Sequence, residues 1–394
     1  MDILLHFGKK EDFNSCSLRK ILQISASYKP AYIYGGPTMS VSTLCENLIK
    51  EGLMLEVVTT TANGKEDFAY QNGERIVIDG VPVIYFRRLT GDHSHLSPAL
   101  YNYLFQNLKT SSIVHIHAWW NLISIGAAFI CWLKGIRFVL SPRGTLGRYS
   151  FSNRSGFFKK FFHNLVGKKL LKIAIFQVSS TKEANDIRKI LPKANISVIP
   201  NFINFNKVEN KENETKESDV IRLLFFSRIE QKKGLDFLLQ ALPQLNFPFS
   251  LDIYGDGDVA YIEKLKHIVP TALAENVKWN SAVYGSKKFD ILSSYDLLLL
   301  PSFDENFANV VIESLYVGTA VLVTPNVGLS DYVEKNNFGW ICDQNLNKIA
   351  ACLNSIAKQK KELARIRKDA PPKITEDFEV TNLTQKYKDF YSRL

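Results

Sequence analysis

The segment FDENFANVVIESL (303–315) carries two glutamates, Glu305 and Glu313, in an otherwise mostly apolar stretch. It follows the apolar run DLLLLPS, which predicts a buried strand, so FDEN is expected in the loop at the carboxyl end of that strand. Ligands of open parallel sheets bind at this edge, and the N-terminus of the next helix attracts phosphate. A carboxylate can also accept hydrogens from two sugar hydroxyls at once. The pattern by itself equally fits a helix-capping acid and a surface glutamate.

A pair of cations follows another predicted strand. In FFSRIEQKKGLDFLLQAL (225–242), Arg228 and Lys233 come just after the strand, and Gly234 begins a helix. Two cations beside a helix N-terminus can hold a diphosphate. The alternative is a solvated basic turn without a ligand.

Evidence for a metal site is weak. DIYGDGD (252–258) can be interpreted as a metal-binding D-x-D motif, but Gly255 and Gly257 are at least as typical of a tight turn. The five cysteines are widely spread without metal-ligand spacing, so we expect reduced thiols. We therefore expect no metal and no other cofactor.

The length of 394 residues predicts two domains. Short apolar runs alternate with amphipathic helical patterns in both halves, which favours βαβ units and parallel sheets. The polar segment NFNKVENKENETKESD (204–219) indicates a linker. The predicted parts are an N-terminal extension (1–18), a first domain (19–202), a junction (203–220), a second domain (221–376) and a C-terminal helix that crosses back to the first domain (377–394).

The net charge of +10 is unevenly distributed. Residues 93–182 contain twelve Lys and Arg but no Asp or Glu, so the rest of the chain has a net charge of 10 − 12 = −2. Such a one-sided field favours a polyanion or an anionic surface. A solvated basic face without a partner and a nucleic-acid-binding surface are the alternatives.

Paired aromatic residues and paired lysines alternate in NRSGFFKKFFHNLVGKKLLK (153–172). A helix of this type can lie in a membrane interface with its lysines toward anionic headgroups, or it can pack on a core with a basic outer side. We expect the basic region 141–172 to contact an anionic membrane. Because no segment approaches the length of a spanning helix and MDILLHFGKK lacks the features of a signal peptide, we expect a cytoplasmic protein, peripheral on the inner face of the plasma membrane.

Over roughly residues 19–390 the chain resembles the retaining glycosyltransferases of family 4, which have the GT-B fold. Motifs similar to those of the family's nucleotide-sugar domain occur in the family's order: SRIEQKKGLD, YGDGD, VKWNSAVYG, YDLLLLPSFDENFANVVIESLYVGTAVLVT and FGWIC. The first half is similar through YIYGGPTMS, IVHIHAWWN, LSPRGTL, STKEANDI and VIPN. The resemblance implies an α/β protein with two Rossmann-like domains and a deep cleft between them.

The resemblance also implies roles for individual residues. Arg228 and Lys233 would hold the donor diphosphate, Glu313 the ribose, and Glu305 would lie beside the transferred sugar. The implied catalytic residues are His117, Glu305, Arg228 and Lys233; the donor-binding residues are Gly36, Arg143, Arg228, Lys233, Val283, Gly285, Glu305, Asn306, Phe307, Ala308, Asn309 and Glu313; the acceptor-binding residues are Tyr34, Gly35 and Gly36. The neighbouring His115 is expected on the opposite face of its strand, in a structural role.

The implied activity is transfer of a sugar, with retention, from a UDP-hexose or UDP-N-acetylhexosamine. The acceptor would be a lipid-diphosphate-linked saccharide or an oligosaccharide, as in bacterial surface polysaccharide assembly. A GT-B enzyme that epimerises or hydrolyses a sugar nucleotide without an acceptor is the alternative, whereas a dinucleotide oxidoreductase is not favoured because YGGPTMS lacks G-x-G-x-x-G. The family usually has glycine in place of Ala308, Ser281 and Phe202, which bears on donor choice.

Overall fold

The apolar runs form two separate parallel sheets in a computed structural model that describes residues 19–92, 94–110, 112–147, 166–205 and 219–394. The predicted extension (1–18), most of the predicted junction (206–218) and the aromatic part of the predicted interfacial helix (148–165) lie outside the described residues. Among the described helices, none is long and apolar enough to span a membrane.

Contacts divide the described chain into two units. The first comprises 19–145, 166–177 and 381–394, and the second comprises 146–147, 178–205 and 219–380. The division thus assigns residues 178–202, the end of the predicted first domain, to the second unit. The residues at 381–394 belong to the first unit.

The elements before residue 206 alternate between strands and helices. The strands are β1 (Ile21–Ile24), β2 (Leu55–Thr60), β3 (Ala62–Asn63), β4 (Glu66–Asp67), β5 (Glu74–Ile78), β6 (Val81–Phe86), β7 (Ile113–His117), β8 (Phe138–Ser141), β9 (Ala174–Val178) and β10 (Asn195–Val198). The helices are α1 (Gly36–Lys50), α2 (Pro98–Asn107), α3 (Leu122–Leu133), α4 (Lys168–Lys172) and α5 (Thr181–Ile190).

The elements after residue 218 continue the same alternation. The strands are β11 (Ile221–Phe226), β12 (Phe249–Tyr254), β13 (Val277–Asn280), β14 (Leu297–Leu300), β15 (Ala320–Val323) and β16 (Gly339–Ile341). The helices are α6 (Leu235–Ala241), α7 (Val259–Lys266), α8 (Lys287–Ser293), α9 (Asn309–Tyr316), α10 (Ser330–Asn336), α11 (Leu346–Ala357), α12 (Lys360–Asp377) and α13 (Val380–Ser392).

Both sheets have the Rossmann strand order. The second runs β13-β12-β11-β14-β15-β16, with parallel neighbours throughout. The first runs β10-β9-β8-β7-β1-β2-β6-β5, and its inner six strands follow the same order, while β5 pairs antiparallel with β6. In each sheet the strand order therefore reverses at one point, beside β1 in the first sheet and beside β11 in the second. Folds of this kind bind ligands at that point.

Apolar burial explains the central strands. β14 reads LLLL and β15 reads AVLV, and every residue of both is buried. A strand that is apolar on both faces requires layers of helices above and below it, as in a parallel sheet. The predicted α/β class with two Rossmann-like sheets is confirmed.

Candidate active site

A tight turn after β11 places Lys233 against the loop that follows β14. The chain forms a 3-10 turn at Gln231–Lys233 and then takes a left-handed conformation at Gly234, with φ of 69°. A Cβ on Gly234 would lie 2.1 Å from the carbonyl oxygen of Pro301, so only glycine permits this approach. The amide of Phe303 donates to the carbonyl of Lys232 at 2.8 Å, which joins turn and loop.

Lys233 and Glu305, both predicted from the sequence, form an ion pair. Their side chains are only 10% and 12% exposed, so each charge depends on the other for compensation. Burial lowers the pKa of the Lys233 ammonium below its ordinary value; Glu305 opposes this, and the nearby charges of Lys232 and Arg228 add to it. The pair is therefore a buried cation–carboxylate unit at the carboxyl ends of β11 and β14.

Arg228 is not a member of this buried ion pair. Its guanidinium contacts Glu230 at 2.6 Å, and its side chain is 59% exposed. The two cations predicted as one diphosphate clamp thus have different environments, one buried and one solvated.

The loop that carries Glu305 is held by its backbone. The amide of Glu305 donates to the carbonyl of Asn326 at 3.1 Å, and the amide of Gly328 donates to the carbonyl of Glu305 at 2.9 Å. A Cβ on Gly328 would lie 1.8 Å from the carbonyl oxygen of Asn306. The two loops therefore run in backbone contact, which only glycine at 328 allows.

Asn306 adds a second set of hydrogen bonds to this loop. Its side-chain amide donates to Ser179 Oγ at 2.8 Å, and its carbonyl accepts from Ser180 Oγ at 2.8 Å. Asp304 contacts Lys182 at 2.5 Å. The loop is thus fixed on both sides before any ligand is present.

Helix α9 begins in a strained conformation. Ala308, its N-cap, has φ of 70° and ψ of 73°, in the left-handed region that an L side chain rarely adopts. The preceding Phe307 is buried and packs edge-on against Phe378. Asn309, the first residue of the helix, accepts from Asn201 Nδ2 at 3.3 Å.

Glu313 lies one turn into α9 and is also paired. Its carboxylate contacts Lys288 Nζ of α8 at 2.5 Å, and Glu313 is only 8% exposed. A surface glutamate is therefore excluded for Glu313. Lys288 was not predicted, because no local motif marks it and only the packing of α8 against α9 brings it to the site.

The D-x-D segment does not form the predicted tight turn; it runs beside the chain that follows β11, where Gly257 forms a parallel bridge with Ile229. Cβ atoms on Gly255 and Gly257 would lie 1.9 Å from the carbonyl oxygen of Ser227 and 2.2 Å from that of Ile229. The carboxylate of Asp256 accepts from the amide of Ala282 at 3.0 Å and so fixes the next loop. In the described ranges no group of three or more His, Cys, Asp or Glu side chains could hold a metal ion.

The two predicted base contacts lie in the loop that Asp256 fixes. Val283 is half-buried, and Gly285 is exposed with a left-handed φ of 72°. Tyr284 between them is 74% exposed. This loop follows β13, at the same sheet edge as Lys233 and Glu305.

In the first unit, the glycine loop between β1 and α1 carries the predicted acceptor residues. Gly35 has φ of 63° and ψ of −134°, a combination open essentially to glycine alone. Gly36 begins α1, and a Cβ there would meet no atom within 4 Å. The hydroxyl of Tyr34 accepts from the amide of Gly64 at 3.0 Å, which holds the loop in place.

His117 ends β7 and is fully buried in hydrogen bonds. Its Nε2 contacts Gln23 Oε1 at 2.7 Å, and its Nδ1 accepts from Arg143 Nε at 3.3 Å. Burial holds the pKa of His117 well below its ordinary value, and His115 and Arg143 act in the same direction. The imidazole is therefore neutral, with its proton on Nε2.

The prediction that His115 faces away from His117 is wrong. Residues two apart in a strand share one face, and the two rings lie 4.3 Å apart between centroids. His115 contacts the hydroxyls of Tyr391 in α13 and of Ser141, each at 2.7 Å. It is part of a buried polar network, which agrees with the structural role expected for it.

Arg143, like Ala308, is a non-glycine residue with a left-handed backbone conformation, at φ of 52°. Besides His117, its guanidinium donates to Ser40 Oγ of α1 at 2.8 Å. It thus connects β7 to the helix behind the glycine loop. The structure brings His117 and Arg143 together, as it does Lys233 and Glu305.

The chain matches two family profiles that follow one another. Residues 34–207 match "Glycosyltransferase Family 4" and residues 206–372 match "Glycosyl transferases group 1". An uncharacterised glycosyltransferase of Methanocaldococcus jannaschii is 24% identical over 84% of this chain and 87% of its own length. Lipopolysaccharide 1,2-N-acetylglucosaminetransferase of Salmonella typhimurium is 26% identical over 50% of this chain, which spans only 57% of that enzyme.

Solved structures support the same assignment at the level of the fold. The structure of Anabaena HepE in complex with UDP and glucose superposes with a TM-score of 0.72 over 95% of this chain and 100% of that one, at 18% identity. Together with the two Rossmann-like sheets and the consecutive profile matches, these findings show that the chain is a glycosyltransferase and belongs to the family 4 type with the GT-B fold.

Proposed function

We propose that this enzyme transfers a sugar from a UDP-hexose or UDP-N-acetylhexosamine, with retention of anomeric configuration, to a hydroxyl of a lipid-linked or oligosaccharide acceptor in polysaccharide biosynthesis. The observation that carries the proposal is the buried Lys233–Glu305 pair at the sheet edge where α9 begins. The UDP and glucose named for HepE, and the lipopolysaccharide named for the Salmonella enzyme, support the choice of donor and acceptor class.

Lys233 supplies the charge for the donor diphosphate in this proposal. Its ammonium, now paired with Glu305, would be shared with a phosphate oxygen, and the N-terminus of α9, which begins four residues after Glu305, would attract the same group. The exposed Arg228 can swing from Glu230 to the diphosphate at little cost, because a solvated ion pair is weak. These charges stabilise the leaving group, so we propose that transfer needs no metal.

Glu313 would bind the ribose hydroxyls. Lys288 pairs with one carboxylate oxygen, Oε1, and holds the buried side chain of Glu313 in its orientation. The other oxygen remains able to accept hydroxyl hydrogens. Lys288 is thus proposed as a positioning residue for the nucleoside.

The chemical step is proposed as a front-face displacement. The bond between the anomeric carbon and the β-phosphate oxygen breaks, and the oxygen leaves with the electron pair. The acceptor oxygen bonds to the same face of that carbon, and its proton passes to the leaving phosphate oxygen. Glu305 holds the sugar and Lys233 stabilises the developing phosphate charge.

A donor panel with paired variants tests the proposal. Nucleotide release would be measured with UDP-, GDP- and ADP-sugars, with and without an acceptor, in the presence of EDTA. We expect UDP-sugars to be used, and Lys233→Ala and Glu305→Gln each to lower transfer by about 10²–10³. Lys278→Ala and Glu275→Gln, which alter exposed charges elsewhere in the second unit, serve as matched controls.

Three results would contradict the proposal. Near-normal transfer by both site variants would remove the site assignment, and loss of activity in EDTA that a divalent cation restores would remove the metal-free step. Consumption of the sugar nucleotide at full rate without acceptor would favour an epimerising or hydrolysing enzyme. The anomeric configuration of the product, read from its NMR coupling constants, decides retention.

A further inference from the structure

Helix α3 has an unusual composition for a helix at a protein surface. Its sequence, LISIGAAFICWL, contains no charged residue. One side packs inward through Ile123, Ala127 and Cys131, which are fully buried. The outward side should then be polar, because a helix that is apolar all round is normally buried.

The outward side of α3 is instead apolar. Phe129 is 42% exposed, Trp132 45% and Leu133 54%, and these residues share one helical face by their spacing of three and four. The rings of Phe129 and Trp132 stack on each other at 5.7 Å between centroids. Leu122 extends the same face to the start of the helix, where it is 38% exposed.

Helix α2 contributes to the same surface. Tyr101 packs closely over Gly126 of α3, where a Cβ would lie 2.4 Å from its ring. Phe105, one turn further along α2, is exposed, and the ammonium of Lys134 lies 5.1 Å from its ring centroid. We call Phe105, Leu122, Phe129, Trp132 and Leu133 the α2–α3 aromatic patch.

The patch lies in a part of the sequence that carries cations but no acidic residue. Both helices lie within the stretch 93–182, which contains no Asp or Glu. Lys109 and Arg137 follow α2 and α3 and are exposed. Helix α4, which contacts α3, exposes Lys168, Lys169 and Lys172 while it buries Leu170 and Leu171.

We propose that the α2–α3 aromatic patch docks on an anionic lipid bilayer. Tryptophan and phenylalanine insert at the boundary between headgroups and acyl chains, and lysines beside them reach the anionic headgroups. A second copy of the chain fits the charge poorly, because it would bring the same cations face to face. The lipid-linked acceptor of the proposed function would give this docking its purpose, but the docking is testable without it.

Vesicle flotation of the full-length enzyme, with neither donor nor acceptor present, tests the proposal. We expect binding to phosphatidylcholine vesicles that contain phosphatidylglycerol, weaker binding at high salt, and little binding to phosphatidylcholine alone. The double variant Phe129→Ser/Trp132→Ser should lower the partition coefficient by more than about tenfold, because it removes two apolar side chains from the interface. Lipids brominated on their acyl chains should quench Trp132 emission, and Trp132→Phe should lose that part of the quenching.

Matched controls separate the patch from general surface hydrophobicity. Val77→Ser and Val259→Ser change residues that are 66% and 75% exposed outside the patch, and both should bind vesicles like the wild type. Lys168→Gln/Lys169→Gln/Lys172→Gln should weaken binding at low salt more than at high salt.

Absence of wild-type binding to anionic vesicles would overturn the proposal, and so would unchanged binding by the aromatic double variant. A third contrary outcome is that the double variant binds vesicles like the wild type but differs from it in molecular mass in solution. The last would identify a second copy as the occupant. A protein that floats but transfers no sugar would refute the proposed function alone, and one that glycosylates a free oligosaccharide but does not float would refute this inference alone.

Discussion

Replacing Gly328 by alanine tests whether the backbone contact between its loop and the Glu305 loop positions the site. The new Cβ would lie 1.8 Å from Asn306 O, 2.6 Å from Asn306 C and 2.8 Å from Ser180 Oγ, whereas real Cβ contacts do not fall below 3.0 Å. The loops must therefore separate by at least 3.0 − 1.8 = 1.2 Å. This displacement moves Glu305, whose carbonyl accepts from Gly328.

A shift of that size is large compared with the tolerance of a catalytic site. Misplacement by about 1 Å can cost roughly a hundredfold in rate. We expect kcat/KM for nucleotide-sugar turnover to fall about a hundredfold, and overpacking to lower the free energy of unfolding by about 1–3 kcal/mol. Steady-state kinetics and urea unfolding would measure the two effects separately.

Gly91→Ala is the matched control. Its Cβ would meet no atom within 4 Å, and its φ is not left-handed, so the same substitution should change neither quantity. If Gly328→Ala turned over donor at the wild-type rate while folded, the claim that this contact fixes Glu305 would be refuted. If both variants lost kcat/KM and stability equally, the losses would not come from the backbone contact at Gly328.

Two further predictions concern single residues of the site. Ala308→Gly should leave the free energy of unfolding unchanged or raise it by up to about 1 kcal/mol, because glycine adopts the left-handed conformation without strain. The control Ala351→Gly, on the exposed side of α11, should lower the free energy of unfolding by about 1 kcal/mol. If urea unfolding showed equal losses for both variants, Ala308 would not be strained. Because the pKa of Lys233 is lowered, its ammonium deprotonates as pH rises through a value below that of an ordinary lysine, so kcat/KM should fall there. Lys233→Arg should move this alkaline limb to higher pH, and an unmoved limb would assign it to another group.

Much of the fold follows from local sequence patterns. Apolar runs such as LLLL in β14 are buried on both faces, and this is the condition that parallel strands require. The hairpin of β5 and β6 was not predicted, because β5 alternates between partly buried and exposed residues at a sheet edge. Asp79 and Gly80, both with left-handed φ in its turn, carry the D-G signal that could have revealed it.

The site was predictable only where a motif carries it. The turn at Lys233 and the loop at Glu305 each follow a strand, and parallel topology brings such ends to one edge. Lys288 lies 25 residues from Glu313, and no local pattern records that α8 and α9 pack together. The orientation of His115 was predictable from the two-residue period of a strand and was nevertheless missed.

The division of the chain also sets the order in which the two units can finish folding during synthesis. Gln23 of β1 and His115 of β7 both contact the hydroxyl of Tyr391, so the sheet of the first unit has buried polar groups without that partner until residues 381–394 leave the ribosome. At about 5–20 residues per second, the chain between residues 145 and 381 takes roughly 10–50 seconds to make. The first unit to be translated is thus the last to complete its hydrogen bonds, and the second can fold before it.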